Sequence, residues 1–318
     1  MNTITQKDVN VVKKKLKLTK NSRILNVSHY GCMDGSGASI PIYNSFDCVN
    51  YVRAKFSNVD EIARKIDPDK YDAVFFTDMS PNDPSILKDA KNVVIIDHHE
   101  SALINHDPDN MRFVYIGESA SILSKKFISK YFNTDISYLN LLTKYINDYD
   151  MWIDPFGTSW HFNLLHYWYL KKDKFTHTKF IKRFANGNIG FNEEEKAYIQ
   201  LREKELEAKW QETKKTFYHL DNLNGALIFG NDFVNELCHR LMDEYGFGIV
   251  VNKNPRSFQA SVRCNAEGVP IGDILQELEL GGGHDNAGGF NDETIGDFRK
   301  NLEKLCTHLY DNYEVLRA

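Results

Sequence analysis

Between residues 23 and 117 the chain repeats one device: a short, largely apolar run, in three cases followed at once by an acid or an imidazole. "RILNVSH" stops on His29, "DAVFFTD" on Asp78, and "NVVIIDHH" on Asp97, His98 and His99, while "RFVYIG" follows as a further run of the same kind. Runs of this length, rich in β-branched and aromatic residues and apolar at successive positions, read as strands covered on both faces, the usual condition of a parallel sheet. Helical stretches separate them: "GSGASIPIYNSF" after the first, "VDEIARKI" before the second and "DPSILKDAK" between the second and third. This alternation predicts a doubly wound, mostly parallel α/β domain. Ligands of such sheets bind beyond the carboxyl ends of the strands, and that is where the acids and imidazoles of this sequence fall.

A chain of 318 residues is longer than one hydrophobic core usually serves, so two domains are expected. "SASILSKKFISKYF" and "YLNLLTKYINDYDMW" read as amphipathic helices. From Asn192 the sequence "NEEEKAYIQLREKELEAKWQETKKTFY" mixes both charges without Pro or Gly, the pattern of a long connecting helix with a solvated face. Strand-like runs then return as "GALIFG", "FGIVVN" and "FQASVRC", with helical "FVNELCHRLMDEY" and "IGDILQEL" among and after them. "GGGHDNAGGF" and a last helix around "IGDFRKNLEKLCTHLYDNY" complete a smaller α/β block. The division expected is residues 1–155, a helical linker over 156–222, and a second domain over 223–318.

The formal net charge of −5 argues against a protein that coats long nucleic acid, which needs many Lys and Arg against phosphate. It suits a small phosphate-bearing substrate and a site that gathers carboxylates around cations. The five cysteines include no CxxC pair, so structural zinc is not expected and reduced thiols are. The N-terminal segment lacks the apolar core of a signal peptide, and no run of about 18 apolar residues occurs. A cytoplasmic protein with no membrane contact is the expectation.

The polar residues at the predicted strand ends form one candidate set: His29, Cys32 and Asp34 in "SHYGCMDGSG", Asp78, and Asp97, His98 and His99, with Asp148 and Asp150 of "INDYDMW" as further candidates. Carboxylates mixed with imidazoles suit Mn²⁺ and related divalent ions. So many acids together repel unless cations offset them, and two metals sharing a carboxylate would also serve a phosphoryl displacement. "DGSGAS" opens a helix directly after the first strand, where Gly35 and Gly37 permit close backbone approach and the helix start favours an anion.

These motifs, in this order, resemble the DHH phosphoesterase family. "SVRCN…GGGHDNAGGF" is similar to that family's companion DHHA1 substrate-binding domain, and "YDMW" followed by "FNLL" looks closest to the nanoRNase branch. The resemblance covers most of the chain and implies a catalytic metal-binding domain, a linker and a substrate-binding domain that close on a small ligand. It places His29, Cys32 and Asp78 around one divalent ion and Asp34, Asp78, His98 and Asp150 around a second, with Asp78 shared. Mn²⁺ is the expected metal, with Mg²⁺ or Co²⁺ as alternatives. Asp150 is taken over Asp148 because an aromatic follows closely, as in "YDxW" relatives. Asp97 would orient a neighbouring imidazole, and His99 would face the substrate phosphate. Many members carry Asp where this chain has Cys32; a thiolate is a softer partner for Mn²⁺, which puts the affinity and identity of the first metal in question.

In the second domain Arg263, Gly282, Gly283, His284 and Gly288 are the expected substrate-binding residues, and the resemblance implies that Arg263 and His284 hold the nucleotide end of the substrate. The glycines would present N–H groups, and the guanidinium would grip a phosphate on two prongs. The function implied is metal-dependent hydrolysis of short oligonucleotides or dinucleotides to mononucleotides; an oligomer is compatible with the sequence. Alternatives are cleavage of cyclic or linear dinucleotides, dephosphorylation of a nucleotide bisphosphate, RecJ-like single-strand exonuclease action, and a nucleotide-binding sensor without turnover, for which Cys32 is the only sequence support. The aromatics and histidines of "WHFNLLHYWYL" read as packing.

Overall fold

The computed structural model describes residues 3–173, 178–215, 218–220, 222–254, 257–284 and 286–317, except for the side chains of residues 253, 254 and 284. The chain divides into two compact units, Met1–Ile199 and Gln200–Ala318, so the segment 156–222 is shared between them.

In the first unit α1 (Gln6–Lys15) precedes β1 (Arg23–His29), α2 (Met33–Ser45), β2 (Cys48–Ala54), α3 (Val59–Lys65), β3 (Ala73–Thr77), β4 (Val93–Asp97) and β5 (Arg112–Val114). Then come α4 (Ala120–Phe132), α5 (Asn140–Asp150), α6 (Thr158–Lys172), α7 (Lys179–Phe184) and the start of α8 (Glu193–Thr213). The strands lie in the order β2-β1-β3-β4-β5, every pair parallel. The chain moves outward from β1 to β2, then returns to the other side through β3. The order therefore reverses between β1 and β3, and a crevice is expected beyond their carboxyl ends.

Strands β3 and β4 are buried along their whole length, as their unbroken apolar runs require. On one face Ile24, Phe75, Val94 and Phe113 share a core with Val9 and Val12 of α1 and with Leu123 and Phe127 of α4. On the other, Leu25, Val27, Phe76 and Ile95 share one with Val59 and Ala63 of α3.

Some segments depart from expectation. "CVNYVRA" forms β2, an edge strand whose residues range from exposed to buried, so it never shows as a continuous apolar run. "DPSILKDAK" is a string of turns and not a helix; Leu87 sits at φ 57°, in the left-handed region where an α-helix cannot continue. The acidic start of α8 is not wholly solvated. Glu195 is buried, and both its oxygens accept from the Arg183 guanidinium, at 2.8 and 2.9 Å. Its backbone N–H and one oxygen also exchange hydrogen bonds with Asn192 in a reciprocal cap.

The second unit holds β6 (Tyr218–His219), β7 (Ala226–Phe229), α9 (Val234–Tyr245), β8 (Phe247–Asn254), β9 (Ser257–Cys264), α10 (Ile271–Glu277), β10 (Gly281–His284), β11 (Ala287–Asp292) and α11 (Ile295–Asn312). Its sheet runs β10-β11-β9-β8-β7-β6, antiparallel except for the parallel pair β7 and β8. Ile249, Val251, Val262 and Phe290 pack in one core with Ile274 and Leu275 of α10 and with Leu305 and Leu309 of α11. Among the described residues no helix is long and apolar enough to cross a membrane.

Candidate metal centre

The reversal of strand order brings its residues together. His29 ends β1, Asp78 follows β3, and Asp97 ends β4 with His98 and His99 directly after it. Cys32 is the residue before α2, Asp34 lies in that helix's first turn, and Asp150 is the last residue of α5.

His98 is the hub. Its Nε2 lies 3.2 Å from Asp78 Oδ1, 3.4 Å from Asp150 Oδ2 and 3.7 Å from Asp34 Oδ2, so three carboxylates converge on one imidazole nitrogen. His29 Nδ1 stands 3.6 Å from Asp78 Oδ2, beyond hydrogen-bond length. Among the described residues neither of those two buried atoms has a hydrogen-bond partner. Cys32 Sγ donates to Asp150 Oδ1 across 3.7 Å and accepts from the Asp34 N–H. The ligand atoms of His29, Cys32 and Asp78 lie within 4.8 Å of one another, as do those of Asp34, His98 and Asp150, and those of Asp78, His98 and His99.

The backbone is shaped for this. Asp78 lies at φ 60°, a conformation rare outside glycine that Asp tolerates better than most residues. Gly35 is obligatory: a Cβ there would stand 2.7 Å from the His29 carbonyl oxygen and 3.1 Å from Asp78 Oδ2. The Asp34 carboxylate accepts from the backbone N–H groups of Ala120 and Ser121, at 2.7 and 2.9 Å, and so closes the first turn of α4.

Charge follows geometry. Burial, then Asp150 and Asp78, hold the Asp34 carboxyl well above the usual range. Burial, then Asp78, Asp150 and Asp34, push the Cys32 thiol up. Burial opposes charge on His98, but its bond to Asp78 and the neighbouring Asp150 and Asp34 outweigh burial and raise the imidazole to about 10. Burial likewise works against the Asp78 and Asp97 carboxylates, yet the histidines around them keep both below the ordinary range. Three acids, two of them buried, crowd one imidazole nitrogen, an arrangement a cation would relieve. Clustered carboxylate and imidazole donors of this kind fit a divalent ion.

Asp97 does not turn into the cluster. Its Oδ1 accepts from His99 Nδ1 at 2.8 Å and from the His98 N–H at 2.8 Å, and its Oδ2 accepts from Ser80 Oγ at 3.0 Å. The bond from Nδ1 leaves His99 Nε2 to face other groups. Asp148 pairs with Lys144, whereas Asp150 faces the cluster.

Sequence reasoning missed Arg53 and Phe56. Arg53, near the end of β2, donates to Ser28 Oγ at 2.6 Å, to the Gly35 carbonyl oxygen at 3.1 Å and to Ser36 Oγ at 3.3 Å. Burial lowers it to about 10 despite the favourable charges of Tyr51, Cys32 and Asp78. Phe56, on the loop after β2, rests its ring against His29 and His99.

In the second unit, β10 and β11 form a hairpin at the sheet edge whose ladder sets residue 284 opposite Ala287 and Ala287 opposite Arg263. The His284 side chain lies outside what the structure describes. Arg263 donates to Asn235 Oδ1 and to the Val262 carbonyl oxygen, each at 2.9 Å. Several glycines of the motif answer to packing: a Cβ at Gly283 would meet the Ala287 carbonyl oxygen at 2.1 Å, and one at Gly288 the Leu275 side chain at 2.5 Å. Gly282 faces open space, so nothing inside the fold demands a glycine there.

No protein-family model matches the sequence, and no curated protein matches it. Solved structures do match. RecJ in complex with Mn²⁺ from Thermus thermophilus superposes with a TM-score of 0.64 at 11% identity, over 98% of this chain and 55% of that one. The pGpG-specific phosphodiesterase PggH from Vibrio cholerae gives 0.57 at 14% identity, over 91% and 99%. An exopolyphosphatase-related protein from Bacteroides fragilis gives 0.57 at 16%, over 98% of each chain. The chain shares its fold with these structures. Within that fold, His98 and His99 of the motif "DHH" lie within reach of His29, Cys32, Asp34, Asp78 and Asp150 at the carboxyl ends of one sheet's strands. RecJ has also been seen with Mg²⁺.

Proposed function

We propose that this chain is a divalent-metal-dependent phosphodiesterase that hydrolyses short oligonucleotides, down to dinucleotides, to mononucleotides. The observation that carries the reading is the convergence of Asp34, Asp78 and Asp150 on His98 Nε2, with His29 Nδ1 3.6 Å from the other oxygen of Asp78. His29, Cys32 and Asp78 would hold one ion, and Asp34, Asp78, His98 and Asp150 the other. Divalent ions bound there would acidify a water and offset charge on the phosphodiester.

The chain's own residues supply the rest. Asp97 fixes the His99 ring through Nδ1, which presents Nε2 to a phosphoryl oxygen. Arg53 anchors the Gly35 carbonyl, and with it the start of α2, beneath the acids. Arg263 and the strand around Gly282 are assigned to the nucleotide end of the substrate, with Gly283, His284 and Gly288. That the similar PggH is specific for pGpG, and that RecJ is an exonuclease, supports a phosphodiester substrate in this fold. A net charge of −5 supports a short one.

The test is a product time course on labelled di- to decanucleotides, RNA and DNA, with Mn²⁺, Mg²⁺ and Co²⁺ in turn. Mononucleotide release that is fastest on the shortest RNAs and abolished by Asp78→Ala is expected. Tight dinucleotide binding without product in every metal would favour a sensor and overturn the reading.

A further inference from the structure

The loop after β2 holds Phe56 beside the two histidines that face the candidate metal centre. Ring centroids lie 4.5 Å from His29 and 5.2 Å from His99, yet Phe56 remains 40% exposed. The ring is held by its backbone. Asn82, on the loop that follows β3, donates from Nδ2 to the Phe56 carbonyl oxygen at 2.9 Å, and Asn82 N–H donates to Asp60 at 2.7 Å. Asn58 Oδ1 closes the same turn on the Lys55 N–H at 2.8 Å. The neighbouring Lys55 places its ammonium 5.5 Å from the centre of the Tyr30 ring, directly after His29 in sequence. A phenyl group carries no proton and no lone pair for a metal; what it offers a ligand is an apolar π surface.

We infer that Phe56 is a stacking platform for the nucleobase next to the phosphate bound at the metal centre. This makes the substrate class a base-bearing phosphodiester and not a bare chain of phosphates, which would leave the ring nothing to cover. The inference rests on the proposed phosphodiesterase reading and deepens it. Base stacking on an aromatic tolerates any base, so Phe56 contributes to binding nucleotides in general without choosing among sequences.

The experiment compares kcat/KM for the dinucleotide pApA with that for its abasic counterpart, in which tetrahydrofuran residues replace both nucleosides, using the full chain with Mn²⁺. The wild type should prefer pApA. Phe56→Leu should lower the ratio of the two values about tenfold, while Phe56→Trp holds or raises it. An unchanged ratio in Phe56→Leu, even with both rates reduced, would mean that the ring only props His29 and His99, and the inference would be overturned. A lowered ratio in Phe56→Trp overturns it as well. Failure of the wild type to cleave either compound would instead bring down the phosphodiesterase reading itself, and this inference with it.

Discussion

Asp78 lies at φ 60° with His98 on one oxygen and His29 beside the other, so its side chain and its backbone are constrained together. Cys32, next to it, is the residue whose chemistry fits least well: its thiol is pushed upward by burial and by the acids, and it must lose its proton to bind a metal. Cys32→Asp should therefore bind Mn²⁺ at least as tightly as the wild type by calorimetry and keep or raise its hydrolytic rate; a large loss of either with folding intact would give the thiol a role that hardness does not explain. His98 sets a pH dependence. Its folded value of about 10 exceeds the ordinary 6.5, so the folded state binds that proton more tightly. The resulting stabilisation is complete below about 6.5 and is lost as pH rises toward 10. Chelator-treated protein should thus melt at progressively lower temperature across that window, with His98→Gln flattening the profile. Mn²⁺ competes with protons for the same ligands, so the melting temperature it adds should be larger at pH 9 than at pH 6.

At the level of elements, α2 must start against β1 without a side chain between them. Gly35→Ala forces a Cβ to 2.7 Å from the His29 carbonyl, which should cost about 2 kcal/mol in urea unfolding and depress hydrolysis well beyond what the lost stability explains. Near-wild-type activity in that variant would show that the β1–α2 approach is looser than drawn. Strands β1, β3, β4 and β5 were legible because a parallel strand covered on both faces reads as a largely apolar run, and the polar groups after β1, β3 and β4 followed from the rule for strand ends. β2 was not legible: unlike β5 at the opposite edge, whose three residues are all buried, it leaves part of its length exposed, and "CVNYVRA" carries no run. Arg53 and Phe56 went unseen for the same reason, since they lie on and just after the one strand of this sheet that was missed. Glu195 was hidden by its neighbours: amid three consecutive acids, only a fold shows which one turns inward to Arg183. In the second unit the glycine run signalled close contact correctly, but whether the contact was with a ligand or with the chain itself was not written in the residues; at Gly283 and Gly288 it is with the chain.

For the molecule as a whole, a net charge of −5 and a site built around a handful of acids leave little long-range attraction for polyanions. Between about 50 and about 200 mM salt, KM for a dinucleotide should rise less than about tenfold, the slope of one or two phosphate contacts; a steeper dependence would reveal a basic track that the short-substrate reading lacks. The bonds from the Ala120 and Ser121 N–H groups to Asp34 tie such measurements to a signal elsewhere in the chain. Because one carboxylate serves both the cradle and the first turn of a helix, a cation that draws on Asp34 must alter the acceptor those two amides see. Deuterium exchange at Ala120 and Ser121, followed by NMR while Mg²⁺ is titrated, is thus a built-in gauge of site loading that needs neither substrate nor turnover.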